Sequence, residues 1–108
     1  MNQIPIEYWN TGEAKWNSHA AFQTTNHWHV SSYEEKSCDL TIVQCENGNY
    51  YIEDNFGGDA EGHGEVFNPF EFESYPTFFA SFDEVNKRTA EIVASITGAD
   101  VASLLIEV

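Results

Sequence analysis

Positive charge is what this chain has least of. Four lysines and arginines stand against 18 aspartates and glutamates over 108 residues, a formal net charge of -14 at pH 7. Proteins that grip nucleic acid or an anionic membrane surface do so with arrays of Lys and Arg, so neither is expected as a direct ligand. Long apolar runs are also missing: none approaches the ~20 residues that span a bilayer. The start "MNQIPIEYWN" has neither the basic residues nor the apolar core of a secretory signal, and a cytoplasmic protein is the expectation. Cysteine is scarce as well. Cys38 and Cys45 bracket "DLTIVQ", and on a strand rising ~3.3 Å per residue their α-carbons lie about 23 Å apart, which rules out a disulfide between them. Without histidines at finger-like spacing they make a poor zinc site and read as small buried hydrophobes.

Apolar bulk, by contrast, is plentiful. Hydrophobic residues make up 42% of the chain and aromatics 15%, so the sequence can build a core in spite of its charge. Its length suits a single domain, residues 1–108. The first third lacks a sustained period: "TGEAKWNSHAAF" suggests a short helix from Thr11, and "HWHVSSY" a strand. From Cys38 the pattern sharpens. "DLTIVQ" and the run from Tyr50 to Ile52 flank Asn47-Gly48, the strongest short hairpin signal, and predict a hairpin over 39–54. The glycines at 57–64 mark a loop, and the prolines of "VFNPFEFESYPTFF" favour an edge strand near 66–73. Ser81 and Glu84 have capping-box spacing, and Val85, Thr89, Ile92, Val93 and Ile96 share one helical face. A helix over 82–97 follows, ended by Gly98, with a closing strand at 103–108. The fold class is therefore α+β: a small, mainly antiparallel sheet with the helix packed on one face.

Several chemistries can be weighed on the stretch "EDNFGGDAEGHGEVFNPFEFESY". Counted from Asp59 as a calcium loop, it places Phe70 where a bidentate carboxylate is required, and the motif fails. A phosphate cradle needs a glycine loop opening a helix together with a cation, and this loop carries only negative charge. Elsewhere, His27 and His29 would share one face of a strand about 6.6 Å apart and, with His63, make a candidate metal set for a small metal protein. There is no Gly-x-Ser-x-Gly elbow and no cationic setting for a cysteine thiolate beyond Lys36. No cofactor is implied, and no catalytic residue stands out.

The acidic surface remains. Between Lys36 and Lys87 the chain has no basic residue. Acids run through that whole span, and a strand at "FEFES" would set Glu71 and Glu73 on one face with Phe70 and Phe72 on the other. Carboxylates fixed at such spacing can occupy the Lys/Arg array of a nucleic-acid-binding protein. Asp54, Asp59, Glu61, Glu65, Glu71 and Glu73 form the expected partner-binding set, with nearby aromatics as anchors. In its length, its basic-free span 37–86 and its hairpin-strand-helix-strand order, the chain resembles the small acidic inhibitors of bacteriophages, namely DNA mimics and anti-CRISPR proteins. The resemblance implies a non-enzymatic inhibitor, acting in the host-cell cytoplasm, that occupies the nucleic-acid-binding surface of a defence complex. An immunity protein that neutralises a basic nuclease toxin fits the same charge.

Overall fold

A computed structural model describes residues 24–34, 36–54, 63–68 and 76–107. Its strands are β1 (Thr24–Tyr33), β2 (Ser37–Cys45), β3 (Tyr50–Asp54) and β4 (Val66–Phe67), and its helices are α1 (Phe82–Thr97) and α2 (Val101–Leu104). The four strands form one sheet in the order β1-β2-β3-β4. β1, β2 and β3 are antiparallel, whereas the short edge strand β4 runs parallel to β3. The α+β class, the hairpin and the helix thus stand as the sequence predicts.

The β2–β3 hairpin turns where Asn47-Gly48 places it. Gly48 takes φ 92°, its N–H donates to the Cys45 carbonyl at 2.9 Å, and the Asn47 side chain accepts from the Asn49 N–H at 3.0 Å. A β-carbon on Gly48 would meet nothing within 4 Å, so substitution strains the backbone alone. Gly48→Ala is expected to cost about 1–2 kcal/mol, read as a lower urea midpoint with an unchanged slope.

Alternation along the strands sorts the core. Val30, Cys38, Leu40, Ile42, Ile52 and Val66 cluster with Val85, Ile92 and Val93 of α1. On the opposite face Val43, Tyr51 and Phe67 are also buried, and Tyr51 packs edge-on against Phe67 and Phe78. β2 is covered on both faces, which is why "LTIV" reads as a continuous run. α1 begins at Ser81, whose hydroxyl accepts from the Glu84 N–H at 3.2 Å. It ends at Gly98, φ 82°, whose N–H reaches the Ala94 carbonyl. Thr89 and Thr97 lie on the buried face, each hydroxyl donating to the carbonyl four residues back.

Two segments differ from the sequence reading. The closing strand expected at 103–108 is absent from 103–107: α2 occupies 101–104, and 105–107 lie outside any ladder. A strand needs a partner for its backbone, and here Asn86 takes that role. Its side chain donates to the Ile106 carbonyl at 2.9 Å and accepts from the Ile106 N–H at 3.0 Å. The edge strand expected near 66–73 is confined, among the described residues, to 66–67. At the other end of β3, Phe79 exchanges both backbone bonds with Tyr50. Residues 69–75, with the "FEFES" pattern, and the helix expected from Thr11 lie outside the described residues.

Candidate partner-binding surface

Packing of α1 on the sheet sets its acidic first turn beside aromatic side chains of β1 and β3. Phe82, the first residue of α1, stacks edge-on against Trp28 of β1 at 4.8 Å and Tyr50 of β3 at 5.8 Å between ring centroids. This fixes the start of the helix beside the β2–β3 turn. Asp83 and Glu84 are exposed in the first turn of α1, and Glu46 is exposed on the hairpin turn. The Ser81 hydroxyl also donates to the Glu84 carboxylate at 3.2 Å, which completes the capping box and holds that carboxylate in place. Acids in a first helical turn are stabilised by the helix dipole, so these charges sit where the fold tolerates them well.

Of the expected set of six, the structure describes Asp54 and Glu65. Asp54 lies opposite Leu40 at the end of β3 and is only 3% exposed. It is turned inward, because the β3 period that turns Ile52 into the core turns Asp54 the same way. Glu65 accepts from the Arg88 Nε–H at 2.7 Å, and Arg88 also reaches Glu91 at 3.5 Å. It therefore serves to tie the approach to β4 onto α1. Asp59, Glu61, Glu71 and Glu73 lie outside the described residues. Glu46, Asp83 and Glu84 belonged to no expected site, although the Asn-Gly turn and the capping box were enough to place them outward.

The hydrogen bond from Arg88 holds the Glu65 carboxyl below its ordinary pKa of 4.5. A lowered pKa means the folded state favours the ionised form, so the pair stabilises above the unfolded value and is lost as pH falls through the folded one. Glu65→Gln is expected to cost about 0.5–1 kcal/mol at neutral pH. The difference from the parent protein should shrink as pH falls below the ordinary carboxylate range, read by chemical unfolding at neutral and acidic pH.

The histidine pair sits on β1 as its spacing predicts, with ring centroids 5.9 Å apart. His29 Nδ1 lies 3.2 Å from the Thr41 hydroxyl and 3.9 Å from an Asp39 carboxylate oxygen. Among the described residues no group of three or more His, Cys, Asp or Glu side chains is arranged to hold a metal ion. Cys38 and Cys45 are both buried and neither is in a disulfide, and burial pushes the Cys45 thiol up to about 11, far from a nucleophilic thiolate. No described helix is long and apolar enough to cross a membrane. Comparison with protein-family models, with curated proteins and with solved structures finds no match.

Proposed function

We propose that this protein is a non-catalytic inhibitor whose acidic surface occupies the nucleic-acid-binding site of a basic protein in a bacterial defence complex. The observation that carries the reading is the charge: 18 acids against four bases, with no base between Lys36 and Lys87. The fold adds to its weight, because Arg88, one of the few cations, is already engaged by Glu65 and Glu91. Glu46, Asp83 and Glu84 add an acidic end beside the Trp28, Tyr50 and Phe82 rings, and partly buried aromatics next to carboxylates suit Arg side chains of a partner. Asp59, Glu61, Glu71 and Glu73 complete the proposed partner-facing set, and the inhibitor needs no cofactor.

The test is affinity capture from a bacterial lysate with the tagged protein, eluted first with rising salt and then with duplex DNA. A nucleic-acid-binding complex released by DNA is the expected product. A single basic toxin, recovered and neutralised, would instead make this an immunity protein, and an empty eluate would contradict both.

A further inference from the structure

Among the described residues the two edges of the sheet are finished differently. The β3 side is closed by β4 at Ile52 and Glu53 and by Phe79 at Tyr50. On the other side β1 is ten residues long, and among the described strands it pairs with β2 alone. Proteins guard such edges with charge, proline, bulges or brevity. "TTNHWHVSSY" has no charged residue other than its histidines, and no proline or glycine. Its one irregularity falls between Thr24 and Asn26, and from Trp28 to Tyr33 the register with β2 is unbroken. Every second residue of that stretch points its N–H and C=O away from β2, so the segment can template another strand.

We propose that the Trp28–Tyr33 edge is a docking strand that takes an extended, basic segment of the partner by β-strand addition. This rests on the reading above that the partner is basic, and it names how that partner is held. Charge selects the occupant. A second copy would bring another -14 to the interface, whereas an added strand with lysines or arginines meets acids at both ends of β1. Glu34 follows Tyr33, and Glu46 follows Cys45, which faces Thr24. The two faces set the pattern of the added strand. Toward α1 it would lie beside the partly buried Trp28, which suits apolar side chains, and on the other face beside the exposed His29 and Tyr33, which suits basic ones.

The probe is a capped peptide alternating Val and Lys, titrated into the full chain at low salt, with the same peptide N-methylated at every backbone amide as its control. The expected result is binding at least about tenfold tighter by the unmethylated peptide, with slowed amide exchange within Trp28–Tyr33. Equal binding by both peptides would overturn strand addition by showing attachment through charge alone, and would leave the acidic-surface reading standing. Binding by neither would also overturn it, while the capture experiment decides that reading independently. A dimer in sedimentation without peptide, with the same amides already protected, would assign the edge to a second copy and overturn the proposed occupant.

Discussion

Reversing Asp59, Glu61, Glu71 and Glu73 to lysine together should weaken binding of the captured partner by at least about 100-fold. Each substitution changes the local charge by two, and all four residues lie in the stretch of the chain that has no base of its own. Rim charges act mainly on the encounter rate, so the loss should appear first in the association rate constant and should shrink as salt rises toward molar concentration. Surface plasmon resonance at low and high salt reads both effects. The thermal midpoint of the variant is the control for folding, and it is expected to rise rather than fall, because removing like charges relieves self-repulsion. Unchanged kinetics in a folded variant would remove these four residues from the interface.

The second large effect is on stability. Leu40→Ala should cost about 2–5 kcal/mol. Leu40 is fully buried on β2, opposite Val30 on one side and Asp54 on the other, so the cavity opens beneath α1 where neighbouring strands cannot close over it. A domain of this size has about 5–15 kcal/mol in total. The thermal midpoint should therefore fall by at least about 10 °C. A fall of only a few degrees, measured by circular dichroism, would mean that the α1 side of β2 is not the main core.

Local chemistry made much of the fold legible. Asn47-Gly48 fixed a turn because few residues accept φ 92°, and the Ser81, Glu84 and Gly98 caps bounded α1 because orphan backbone groups at helix ends need partners. The C-terminal segment misled for the opposite reason. "VASLLIEV" has strand-like composition, yet its fate depended on Asn86, twenty residues away, whose amide can imitate a strand edge for Ile106. Propensity carries no information about such a long-range partner. Of the edge strand expected near 66–73, only 66–68 lie among the described residues, with 66–67 in the sheet, and Phe79 holds the place on β3 beside Tyr50.

The candidate surface was legible in total charge and much less in its parts. Composition revealed that acids outnumber bases, but it did not distinguish Asp54, which the strand period turns into the core, from Glu46, which the hairpin turns to solvent. Glu65 was ambiguous for a different reason: its partner Arg88 is distant in sequence, and only the packing of α1 beside β4 brings the two to 2.7 Å. The acidic start of α1 was within reach, because the capping box that defines the helix also aims Asp83 and Glu84 outward.

An inhibitor that occupies a nucleic-acid-binding site and the DNA bound there should exclude each other. With the captured partner in hand, labelled duplex DNA bound to it would be titrated with this protein and followed by native gel shift and by fluorescence anisotropy. The DNA should be displaced stoichiometrically, with an apparent affinity that falls as competing DNA is added. A stable ternary complex of partner, DNA and this protein would contradict it, since two ligands of one basic site cannot be bound together.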